Sequence, residues 1–112
     1  MDYTEVLRRL AISDERFADE CALGPRRVEL DPKTLALVRL AALIAVRGAG
    51  PSYDAETNSA VSAGASASEI VDVLVGVVSV VGLPSVVAAA PSLALALGYD
   101  VDDALEDDGG LD

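Results

Sequence analysis

The stretch Ala63-Gly64-Ala65-Ser66-Ala67-Ser68-Glu69-Ile70-Val71-Asp72-Val73-Leu74-Val75-Gly76-Val77-Val78-Ser79-Val80-Val81-Gly82-Leu83-Pro84 holds two conflicting signals. From Ile70 to Val81 it is rich in valine, a composition with strong β propensity. Against that, Ser66 and Glu69 stand at capping-box spacing, which satisfies amide hydrogens only at the start of a helix. The run is also longer than an ordinary strand. A helix from Ile70 to Val81 is therefore predicted, apolar on every side. Gly64 supplies the left-handed C-terminal residue of the helix before it, and Gly82-Leu83-Pro84 separates it from the next. A helix with no polar face belongs at the centre of a protein or between subunits.

Working outward, Leu30-Asp31-Pro32 marks another helix start. Asp31 can accept the free amide hydrogens, and Pro32 has its φ pre-set for the first turn. That helix is expected to run to Arg47, where Gly48-Ala49-Gly50-Pro51 breaks the chain. Ser52 to Ala63 form the next helix. Leu83 to Leu97 form the last, with Pro84 at its start, Pro91 as a kink and Gly98 at its end. Upstream, Tyr3 to Ala11 is a short amphipathic helix bearing Val6, Leu7 and Leu10, and Ser13 is the expected cap of a second helix that runs through Phe17 to Leu23, stopped by Gly24-Pro25. The fold class is all-α. A 52% hydrophobic content with only 4% aromatics, mostly Ala, Val and Leu, suits closely packed helices.

Composition excludes whole classes of chemistry. The chain has no histidine and a single cysteine, Cys21. It therefore has no Ser-His or Cys-His nucleophile pair, no His-ligated zinc and no Cys-x-x-Cys couple. The net charge is −11, and every basic residue lies between Arg8 and Arg47. The acidic second half, ending in the tail from Asp100 to Asp112, would repel phosphate backbones and anionic membranes, so neither nucleic acid nor membrane is an expected partner. The uncharged run from Val73 to Tyr99 is long enough for a bilayer. Gly82, Pro84 and Pro91 interrupt it, serines dilute it and no Lys or Arg flanks it, so two buried helices are expected instead. The first residues, with Asp2 and Glu5, lack the basic and apolar regions of a signal peptide, and a cytoplasmic location is expected.

Together, Leu30-Asp31-Pro32-Lys33-Thr34, the turn Ala63-Gly64-Ala65-Ser66 with Glu69-Ile70-Val71, and Gly82-Leu83-Pro84 resemble the carboxymuconolactone decarboxylase family, which includes alkylhydroperoxidase D-like proteins. The resemblance divides the chain into an N-terminal helical segment (1–29), a family-like helical domain (30–106) and an acidic tail (107–112). It implies a compact all-helical fold assembled as a homotrimer or homohexamer, with no cofactor. The peroxidase branch carries Cys-x-x-Cys-x-x-x-His at positions that fall near Ala49, Ser52 and Glu56, none of which is retained. Cys21 lies outside the matched region and reads as a small packing residue, so thiol peroxidase activity is not expected.

By the same resemblance, Glu56 stands where relatives hold an acid/base histidine. Tyr53, Glu56 and Ala60 share one side of their helix, and a partly buried glutamate can serve as acid/base. Glu56 and Tyr53 are the candidate catalytic residues, Tyr53 as a hydrogen-bond donor. Arg39 and Ser52 are the candidate substrate-binding residues. Arg39 stands among Leu35, Ala42 and Val46, and requires Glu56, Asp54, Asp72 or a bound carboxylate as its partner. No metal site is expected, because the acidic tail lacks EF-hand spacing. Two readings follow. One is a cofactor-free lyase or decarboxylase acting on a small carboxylate or lactone; the other is a non-catalytic oligomeric scaffold or small-molecule-binding module.

Overall fold

The computed structural model describes residues 2–22 and 29–99, which form six α-helices and, among the described residues, no strand. The first is α1 (Tyr3–Ala11), whose start is capped by Asp2 accepting the Glu5 N–H at 2.9 Å. Glu5 bonds Arg8 at 2.7 Å and Arg9 at 3.1 Å across one turn. The second, α2 (Glu15–Ala22), is not capped by Ser13 as the sequence suggested. Asp14 accepts the Phe17 N–H at 3.2 Å instead. Ser13 is used differently: at φ +56° it turns the chain after α1, and the Asp14 N–H reaches back to the Arg9 carbonyl at 3.0 Å. A residue in that left-handed turn cannot also hold the extended conformation of an N-cap. The Gly24-Pro25 stop lies outside the described residues, as does the acidic tail.

The remaining helices are α3 (Pro32–Val46), α4 (Gly50–Ser62), α5 (Ala67–Val81) and α6 (Leu83–Ala96). Asp31 caps α3, accepting the Thr34 N–H at 2.7 Å. The capping box of α5 is complete, with the Glu69 N–H donating to Ser66 Oγ and the Ser66 N–H to Glu69, both at 3.0 Å. The fourth helix begins ahead of the expected Ser52, because Pro51 is tolerated in a first turn where no amide hydrogen is needed.

These four helices share one core. Ala36, Leu40 and Ile44 of α3, Tyr53 and Ala60 of α4, Ile70 and Leu74 of α5, and Val86, Ala89 and Leu93 of α6 are all buried in it. Spacings of three and four residues put each set on one face of its helix. The first two helices pack on each other, and Phe17, though buried, lies outside that core. Of the two places expected for α5, the centre of the protein is excluded: Ile70 and Leu74 are buried, while Val71, Val75 and Val80 are exposed, because α3 and α6 cover only part of its surface. No helix among the described residues is long and apolar enough to cross a membrane.

The block has two distinct ends. At one, Lys33 Nζ meets Glu69 Oε2 at 2.8 Å and ties the start of α3 to the start of α5. At the other, about 22 Å along α3, the C-terminus of α3 meets the starts of α4 and α6. Within this block three helices close with the bond already seen after α1, from an amide to the carbonyl five residues back: Gly48 to Leu43, Ala65 to Ala60 and Tyr99 to Ala94. The left-handed residue in the last two is Gly64 or Gly98; in α3 it is Arg47, at φ 55° and ψ 57°.

Candidate functional site

A cavity of about 160 Å³ opens at the second end, lined by Arg47, Gly48, Tyr53, Ser85, Ala88, Ala89 and Ser92. Local sequence explains each wall. Ser85, Ala88, Ala89 and Ser92 fall at i, i+3, i+4 and i+7 and form one face of α6. Small side chains there leave space. Tyr53 comes from the first turns of α4 and is only 2% exposed. Burial raises the phenol above its ordinary pKa of 10.0, so at neutral pH the hydroxyl is protonated and available to donate. It takes no partner among the described residues.

Arg47 is the only charged residue of the cavity wall. It is exposed and, like Arg39, has no ion pair among the described residues. The left-handed backbone at Arg47 costs a side-chain-bearing residue about 1–2 kcal/mol that glycine does not incur. Gly48 follows it where a Cβ would lie 2.6 Å from Leu43 Cδ2, so a side chain there would displace Leu43. Both neighbouring helix starts lack a side-chain cap: the N-cap of α4 is Ala49 and that of α6 is Gly82. Their first amides point positive partial charge toward this end of the block.

Of the residues expected from the sequence, Tyr53 alone lines the cavity. Ser52 is exposed on the first turn of α4. Glu56 is half-buried on the edge of the Tyr53, Thr57 and Ala60 stripe and does not line the cavity. Its Oε2 is buried without a hydrogen-bond partner, and so is the neighbouring Thr57 Oγ1. Arg39 is exposed, because the buried face of α3 is Ala36, Leu40 and Ile44. Among the described residues it pairs with none of Glu56, Asp54 and Asp72, and its exposure lets solvent meet its charge. Cys21 is exposed in α2 rather than packed. Among the described residues no cluster of Cys, Asp and Glu is arranged to hold a metal ion.

The residues that sequence reasoning missed are Arg47, Ser85 and Ser92. Their signals were visible. Arg47 is the last basic residue before an acidic second half, and the two serines repeat at i, i+7 in an otherwise apolar run.

A model of the carboxymuconolactone decarboxylase family matches residues 15–94. The chain belongs to the carboxymuconolactone decarboxylase family. The match begins in α2, upstream of the stretch that carried the resemblance, and ends in α6 with the cavity wall inside it. This member keeps the helical block while positions 49, 52 and 56 hold Ala, Ser and Glu. No curated protein and no solved structure gives a match.

Proposed function

We propose that this carboxymuconolactone decarboxylase family member is a small-molecule-binding protein whose ligand occupies the cavity between the C-terminus of α3, α4 and α6. One observation carries the reading: a cavity of about 160 Å³ whose wall joins a buried tyrosine, two serines and an unpaired arginine to alanines of α6. A concave site with a few convergent polar groups on an apolar floor is the usual form of a ligand pocket. Thiol and imidazole chemistry has no residue to carry it there. The test is ligand-observed NMR with a panel of small carboxylic acids, lactones and amides. Binding by the wild type, lost in Ala88→Leu with melting temperature unchanged, supports the reading. Failure of every compound to bind, or equal binding by the filled variant, overturns it.

A second reading is that the protein turns its ligand over, with Glu56 as acid/base. Glu56 Oε2, buried and without a hydrogen-bond partner among the described residues, supports it, since the carboxylate oxygen is left open to a ligand proton donor or acceptor. Turnover of a small lactone or carboxylate by the wild type, abolished in Glu56→Gln while binding persists, is its expected outcome. Binding without turnover excludes it.

We further propose that copies of the chain associate through the uncovered apolar side of α5 and α6, where Val75, Val80, Leu83 and Val87 are exposed. Light scattering should give a multiple of the 11.5 kDa chain mass. Val75→Asp should reduce it, and a wild-type monomer at micromolar concentration overturns the proposal.

A further inference from the structure

We propose that Arg39 pairs with Asp72 of the partner subunit when two copies of this chain meet, in a twofold contact between the outward faces of α3 and α5. The inference rests on the association proposed above, extends that contact onto α3 and names the charges that set its register.

Each of the two helices turns apolar residues outward around a single unpaired charge. On α3, Ala36, Leu40 and Ile44 face the core, which leaves Val38, Ala42 and Val46 exposed beside Arg39. On α5, Ile70 and Leu74 face the core, which leaves Val71, Val75 and Val80 exposed beside Asp72. Neither charge has an ion pair among the described residues. The two helices pack against each other, and the Lys33–Glu69 bridge holds their starts together, so both sets of valines belong to neighbouring parts of one surface. Water meets the two charges while that surface is open.

Covering the valines changes the balance. Removing them from water is favourable, but it also desolvates a guanidinium and a carboxylate, which is strongly unfavourable for each charge left alone. Opposite signs offset that penalty when each charge meets the other. A twofold axis makes the match twice, because in an isologous contact the residue pair formed in one direction is formed again in the other. The pair also selects one register on a valine surface that has little else to fix it. Gly76 lies one turn beyond Asp72 on the same side of α5, and a side chain there would start in open space, so the carboxylate is accessible to a partner's long side chain. From Gly48 onward the chain has no base, so Asp72 can be answered only from the first half of another copy. Among the described residues of the helical block, the bases are Lys33, already bonded to Glu69, Arg47 at the cavity, and Arg39.

The test measures self-association of the full chain by analytical ultracentrifugation, with Arg39→Asp and Asp72→Arg taken singly, mixed in equal amounts, and combined in one chain. Both positions are exposed, so each variant should keep the wild-type circular dichroism. Either change alone sets like charges against each other twice across the contact and should weaken association by roughly a hundredfold. In the mixture, a chain with two acids meets a chain with two bases and both pairs are restored. Association should then return to near the wild-type strength, a recovery that no contact within one chain can produce. The combined variant should also recover. Association that neither single change weakens overturns the pair and leaves the association reading standing. Weakening without recovery in either the mixture or the combined variant overturns the pairing of these two residues, and recovery in the combined variant alone overturns the twofold contact. A wild-type monomer at micromolar concentration overturns the pair and the association together.

Discussion

The two ends of the four-helix block treat their helix starts in opposite ways. Where α3 and α5 begin, the side chains of Asp31, Ser66 and Glu69 accept from backbone amides of the first turn, and Lys33 bridges the two helices to Glu69. Where α4 and α6 begin, Ala49 and Gly82 make no side-chain cap, and Arg47 sits in a conformation that the ends of α4 and α6 assign to Gly64 and Gly98. One end meets its backbone demand internally. The other leaves two helix starts without a side-chain cap beside a cavity. The capped end and the cavity are separated by the length of a helix.

That contrast can be broken most strongly at the core both ends share. Leu40→Ala, at a fully buried position of α3, should cost about 2–5 kcal/mol. Hydrogen exchange should then accelerate at both ends together. Acceleration at only one end would mean that the ends are separate cooperative units and their difference has no common reference.

A smaller effect separates the ends directly. Ser66→Ala removes the side-chain acceptor of the capping box and should lower stability by about 1 kcal/mol in urea unfolding. Ala49→Ser, which offers α4 the cap it lacks, should raise stability by up to about 1 kcal/mol in the same measurement. If Ser66→Ala and Ala49→Ser both prove neutral, capping does not distinguish the ends. Arg47→Gly should raise stability by about 0.5–1 kcal/mol, the relief of the left-handed conformation less the extra unfolded-state freedom of glycine. A loss instead would show that the arginine side chain holds the α3–α4 turn.

The smallest effect is in pH. Lys33, first, and the Ser66 amide hold the Glu69 carboxyl below its ordinary 4.5, and the Thr34 amide does the same for Asp31 below 3.8. Groups with depressed folded-state pKa contribute stability that is full above those ordinary values and is lost as pH falls through the folded ones. Acid should therefore loosen the α3–α5 end first, below about pH 4.5. Lys33→Met should flatten that acid limb, and both effects should shrink in high salt because the pair is exposed. An acid transition unchanged in Lys33→Met would remove the bridge from the account.

Much of the helical framework was legible because caps and stops act over a few residues. Asp31-Pro32, the Ser66 to Glu69 box, Gly64 and Gly98 each do locally what their spacing predicts. Ser13 was misread because two residues in sequence competed for one cap, and only the closing turn of α1 decided between Ser13 and Asp14. At the site, Tyr53 was legible as an aromatic near the break. Arg39 drew attention for its apolar neighbours along the helix, yet it is Arg47, eight residues on, that reaches the cavity.

By itself, then, the sequence determined the caps of α3 and α5, the glycine ends of α4 and α6, that the described residues are all-α, and that the Cys-x-x-Cys and histidine positions hold other residues, since those follow from residue identity and short-range hydrogen bonding. Only the tertiary structure decided which side of α5 is covered, that Arg39 faces solvent, and that Arg47 and Tyr53 meet Ser85 and Ser92 around one cavity. Those outcomes depend on how α3, α4 and α6 pack, which brings together residues more than thirty positions apart. Neither helical spacing nor capping, acting within a turn or two, carries that information.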